Sequence, residues 1–169
     1  MKPISCMVLW ETTLSFVTQC KPMYNALLHT HSSLRYLVLL LLVLVTLKSL
    51  LGWVNKRPFS KLDNQLSLWL LIVTHLQFLA GLFLYFASPF VQFSGTTMKD
   101  NTTRYWTVEH GFMMLVAIAL ITVARVTHKK LTNDEAKHKL LFVLNAAALL
   151  IIVIAILYSG RGLFGKMGV

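Results

Sequence analysis

Long apolar runs punctuated by short polar links dominate the chain. Leu34 to Trp53, Leu66 to Phe86, Trp106 to Val126 and Lys139 to Tyr158 are each almost unbroken in hydrophobic residues. A helix rises about 1.5 Å per residue, so about twenty residues cross a hydrocarbon core about 30 Å thick. Backbone groups in lipid must be paired within the segment, which makes the four runs helices. Period-two alternation is absent, so a transmembrane barrel does not compete. The links at 55–65 and 127–138 are short and polar; the link at 87–105 is longer and carries Pro89, Gly95 and a Thr/Asn-rich stretch. Short links favour antiparallel neighbours. The pattern predicts an all-α, integral membrane, four-helix up-down bundle over residues 23–169, with spans at 34–53, 66–86, 106–126 and 139–158. Residues 1–22 hold a short apolar run broken at Glu11 and are expected as an N-terminal extension that need not fold. Met23 leads directly into the first span and could itself be a start.

Composition narrows the class. Of 169 residues, 56% are hydrophobic and 13% are charged, against about 45–50% and about 25% in soluble domains. So small a soluble protein could not hide this much apolar surface. That excludes a soluble globular enzyme, a disordered chain and a disulfide-built secreted domain. Cys6 and Cys20 both precede the apolar runs and form no CxxC or CxxCH pattern, so neither a thiol-redox motif nor c-type haem attachment is expected.

Charge then sets orientation. Sixteen Lys and Arg against six Asp and Glu give a formal +10. No basic stripe interleaved with aromatics is present, so nucleic acid is not an expected partner. Lys56, Arg57, Lys61, Lys129, Lys130 and Lys137 fall on the face of the two short links, while the long link holds only Lys99 and Arg104. The positive-inside rule assigns the short links to the cytoplasm and both termini to the outer side.

Ionisable residues inside a membrane are expensive and mark function by default. His75 lies near the middle of the second span, and His110 lies one turn into the third, with Met113 on its face at i+3. His31 and Arg35 are i, i+4 near the outer end of the first span, whereas His29 faces elsewhere. His29, His31, Arg35, Glu109, His110, Tyr158 and Arg161 therefore gather at one end of the bundle. His128 and His138 fall in Lys-rich links and are expected on the surface. Tyr105, Trp106, Trp69 and Tyr158 suit an interfacial belt. A b-type haem in a bundle wants two neutral imidazoles from different helices at similar depth, a condition that His31 and His110 meet best. His75 is the alternative ligand. Arg35 would meet a propionate, a lipid headgroup or Glu109, and Met113 would pack on the ring. A nonhaem metal or a proton relay would draw on His31, His75, His110 and Glu109. A quinone site would need only one or two donors and an apolar slot. No serine, cysteine or carboxylate pair is placed for covalent chemistry.

The run Leu28-His29-Thr30-His31-Ser32-Ser33-Leu34-Arg35-Tyr36, then Thr74-His75-Leu76-Gln77 with Gly81, then Arg104-Tyr105-Trp106 with Glu109-His110, resembles a family of small bacterial four-helix membrane proteins labelled cytochrome B. The likeness covers residues 23–165. It implies haem b, electron transport with a quinone or respiratory-complex partner, and the bacterial inner membrane. An electron carrier is the leading expectation. The alternative is a cofactor-free accessory or assembly subunit in which Glu109 pairs with Arg35 and the histidines bond across helices.

Overall fold

The computed structural model describes residues 13–159 apart from 89 and 96, and only the backbone of 13–22. Residues 1–12 of the expected N-terminal extension, together with Arg161, lie outside the described residues. Four helices form: α1 (Thr13–Val54), α2 (Lys61–Ala87), α3 (Asn101–His128) and α4 (Asp134–Tyr158). All four are long and apolar enough to cross a membrane, and no strand occurs among the described residues. The chain is a multi-pass, all-α membrane bundle.

Every helix outruns its apolar run, because hydropathy marks only the part in lipid while the helix continues to its cap. Ser60 opens α2 with a reciprocal box: its Oγ accepts from the Asp63 amide at 3.2 Å, and the Asp63 carboxylate accepts from the Ser60 amide at 2.9 Å. Asp100 opens α3 by accepting from the Thr103 amide at 2.8 Å. Asn133 opens α4 by accepting from the Glu135 amide at 2.8 Å. α1 ends on Lys56 in the left-handed region, φ 50°. The Arg57 amide returns to the Gly52 carbonyl at 3.0 Å and the Lys56 amide to that of Trp53 at 3.3 Å. This is a Schellman closure that reverses the chain in few residues.

α1 packs on α2 and α4, and α3 packs on α4; the seam between α2 and α3 is the thinnest of the four. α1 and α3 therefore face each other across the bundle. Leu42, Leu70, Ala117, Ile121 and Ala148 form the middle of the core. Phe83, Phe112 and Leu150 present more than 60% of their surface outward, as side chains facing lipid do. We call the end carrying the 88–100 link outer and the opposite end inner.

Two placements correct the sequence reading. His128 and His138 are not surface residues: they are 2% and 0% exposed. The inner links are so short that the helix ends pack together, and Phe59 packs against both rings, with centroids 5.4 and 5.1 Å away. Tyr105 does not join an interfacial belt; it is 6% exposed. Residues Tyr105–Glu109 form a π-helical turn within α3, and the extra residue rotates Tyr105 toward the core.

Candidate functional site: a histidine cluster at the outer end

α1 delivers His31 against α2. A β-carbon at Gly81 would lie 3.0 Å from His31 Cε1, so the glycine is the notch that admits the ring. Gln77, one turn inward of Gly81, reaches across. Its Nε2 donates to the His31 main-chain carbonyl at 3.0 Å and lies 3.3 Å from His31 Nε2. A carbonyl can only accept, so the amide nitrogen must face His31 and its second proton points at the ring. His31 Nε2 is thereby the acceptor and Nδ1 carries the hydrogen. That Nδ1 is buried without a partner, as are Gln77 Oε1 and Arg35 Nε. Arg35 sits one turn inward of His31. Its guanidinium donates to Tyr36 Oη at 2.9 Å and lies 4.8 Å above that ring. Among the described residues no carboxylate forms an ion pair with it.

His110 comes from α3, across the bundle. Tyr105 and Trp106, whose rings are 4.9 Å apart, pack together against it, with ring centroids 5.8 and 5.4 Å away. The Tyr105 hydroxyl donates to the Ala155 carbonyl of α4 at 2.5 Å and lies 3.5 Å from His110 Nδ1. With its proton so committed, the phenol oxygen can only accept from His110, which leaves Nε2 as the ring's free lone pair. Depths match. Gln77 and Gly81, which frame His31, stand about 9–15 Å from the outer end of α2 by helix rise, and His110 about 13 Å from the start of α3. His31 and Arg35 both lie within electrostatic reach of His110.

Other candidates go elsewhere. His75 is exposed on the lipid side of α2, its Nδ1 2.9 Å from the Leu71 carbonyl of its own helix, and it is not brought to His31 or His110. Glu109 does not meet Arg35; its carboxylate accepts from Arg104 Nε at 2.7 Å. Met113 lines a shallow apolar groove of about 300 Å³ between α3 and α4 with Glu109, Phe112, Ile154 and Tyr158. His29 lines a separate open depression on α1 with Thr30 and Ser33. Gln77 and Tyr105 are the residues that sequence reasoning missed. Thr74 and Gln77 at i, i+3 share the inward face opposite His75, a spacing legible beforehand. The π turn carries no such signal.

Two imidazoles from diagonal helices and a cation without a carboxylate would suit a planar, carboxylate-bearing, imidazole-ligated group once Gln77 releases His31 Nε2, the one lone pair of that ring. They do not assemble a simple ion site, since no group of three His, Cys, Asp or Glu side chains converges among the described residues. Comparison with protein-family models, curated proteins and solved structures finds no match for the chain.

Proposed function

We propose that this membrane bundle is a cytochrome b-like electron carrier, holding a b-type haem near the outer face between His31 and His110. The supporting observation is the pairing of matched-depth imidazoles on α1 and α3 with unpartnered buried polar atoms on His31, Arg35 and Gln77. The bound group would supply a one-electron couple. The chain would supply the rest: His31, once Gln77 gives up its Nε2, and His110 would hold the group, Arg35 would be counter-charge to a propionate, Tyr105 would orient the His110 ring through Nδ1, and the apolar helices would exclude water. Met113 and the groove beside it open toward lipid, where a quinol or a respiratory-complex partner would deliver electrons. The Lys-rich inner end faces the cytoplasm of a bacterial cell and both termini lie outside, in the reading favoured by the charge distribution. The alternative, a cofactor-free accessory role, invoked two features: its Arg35–Glu109 pair is replaced by Arg104–Glu109, whereas His31 does bond across helices, to Gln77.

The test is a dithionite-reduced minus oxidised spectrum of the protein purified in mild detergent. A sharp α-band is expected, diminished by His31→Ala and His110→Ala and unchanged by His75→Ala. A colourless, well-folded wild type overturns the reading.

A further inference from the structure

One guanidinium at the inner end has a hydrogen-bonding edge to spare. Arg125 of α3 is 4% exposed, and its Nη1 donates to Asn64 Oδ1 at 2.6 Å, Ser67 Oγ at 3.3 Å and His128 Nε2 at 2.9 Å. Two of these acceptors belong to α2, so the side chain crosses the seam between α2 and α3, the thinnest of the bundle. All three acceptors are neutral, and no carboxylate pairs with Arg125 among the described residues. The clasp uses one nitrogen of the three. Nε has no partner and is covered; Nη2 bonds to no described residue either, and it is not sealed off. Nε–H and Nη2–H make up the side edge of the planar fork, which takes a carboxylate or a phosphate through two parallel bonds.

Position and surroundings suit an anion there. The 28 residues of α3 rise about 42 Å, more than a hydrocarbon core of about 30 Å, so its last turn stands at headgroup depth. Arg125 is in that turn, and Asn64 is in the first turn of α2. Lys61 precedes Asn64 by three positions and Lys129 follows Arg125 by four, so each shares a face with its member of the clasp, one turn nearer water. Both lysines and Asn64 are exposed, and neither lysine forms an ion pair among the described residues. The nearby carboxylates are engaged: Asp63 by Lys48, Arg57 and Ser60, and Asp134 by Lys137 and the Phe59 amide. From Lys48 to Trp69 and from Thr122 to Phe142 the chain carries nine basic and three acidic side chains. An uncompensated guanidinium so placed is costly unless an anion meets it. In the other direction, toward the middle of the membrane, the Asn64 face of α2 continues in Leu68 and Ile72, each 38% exposed. Cation, amide and then aliphatic surface is the order that matches a phospholipid, headgroup over acyl chain.

We propose that the inner end of the α2–α3 seam binds the phosphate of an anionic phospholipid. The phosphate takes the free edge of Arg125, entering at Nη2; Lys61 and Lys129 flank its charge, and an acyl chain lies along Leu68 and Ile72. Asn64, Ser67 and His128 already hold the guanidinium across the seam, so binding has little left to order. The lipid ties together the two helices that touch least. A free phosphate would meet Arg125 equally well but would leave the aliphatic surface beside it unused. The site does not rest on the haem reading: Arg125 is fifteen residues along α3 from His110, about 22 Å by helix rise.

The experiment is native mass spectrometry of the full-length protein in mild detergent, titrated with dioleoyl phosphatidylglycerol and, separately, with dioleoyl phosphatidylcholine. One lipid per chain should be retained, the phosphatidylglycerol about tenfold more tightly, because the choline cation of the other opposes the lysines. Arg125→Gln should abolish that preference. Lys61→Gln with Lys129→Gln does not touch the clasp, so the test does not depend on Arg125→Gln folding; this pair should weaken phosphatidylglycerol about fivefold or more. Lys56→Gln with Lys139→Gln removes the same charge where α1 ends and over the Trp53 ring, and should change the affinity by less than about twofold. Inorganic phosphate in millimolar excess should not displace the lipid. Three results overturn the proposal. Equal retention of both lipids by the wild type shows no recognition of the anion. Equal weakening in the two lysine pairs shows diffuse attraction to a basic end. Displacement by inorganic phosphate shows a site for a free anion.

Discussion

Gln77 illustrates how one side chain decides what a neighbour can do. Both protons of its amide are committed to His31, one to the main chain and one to the ring, and they fix the tautomer. Gln77→Leu leaves the His31 ring nitrogen without its donor, at a cost of about 1–3 kcal/mol. It should lower the thermal midpoint in detergent, and an unchanged midpoint would show the contact to be idle. The His31/Arg35 pair was legible in the sequence because i, i+4 spacing forces a shared face whatever surrounds the helix. The direction of His75 was not. In a soluble helix the apolar stripe points inward, but here lipid is as apolar as the core, so its neighbours Ile72, Leu79 and Leu82, all outward-facing, read the same as buried ones.

Among the elements, the caps and close approaches set the limits. Gly52 lets α1 touch the His138 ring of α4. Gly52→Ala would place a methyl on atoms that have nowhere to retreat, an overpacking cost of about 1–3 kcal/mol, visible as a lower unfolding midpoint. Asp100 governs the start of α3. Hydrogen bonds from the Thr103 hydroxyl and amide hold its carboxyl below the ordinary 3.8. A depressed carboxylate stabilises the fold above its unfolded pKa and loses that contribution as pH falls through its folded value. The cap should therefore persist at neutral pH and vanish only below pH 3.8; Asp100→Asn should flatten that acid-side dependence of stability. The sequence pattern located all four helices, since twenty apolar residues admit one structure in lipid. The apolar runs begin five residues after the starts of α2, α3 and α4, because Ser60, Asp100 and Asn133 act through hydrogen bonds that hydropathy does not record.

For the molecule as a whole, charge is the lever. Lys56, Arg57, Lys61, Lys129 and Lys130 crowd the inner end, all exposed. With Cys6 and Cys20 replaced by serine, Lys99→Cys should react with an impermeant maleimide added outside intact cells, and Lys130→Cys only after lysis. The reverse pattern would invert the bundle. Charge counting predicts an orientation that this labelling tests, but it hid the buried inner cluster. His128 and His138 stand among lysines in the sequence, and only the tightness of the two inner hairpins carries them inside.

The bundle is also unevenly sealed. α2 and α3 touch least, and the loosest connection, 88–100, joins them beside the outer histidines. A large rigid disc therefore need not be threaded from an end or be present while the polypeptide inserts. If the proposed haem is the occupant, it would enter sideways from the lipid through that seam after the chain has inserted, and a cross-link between those two helices would be expected to block its loading.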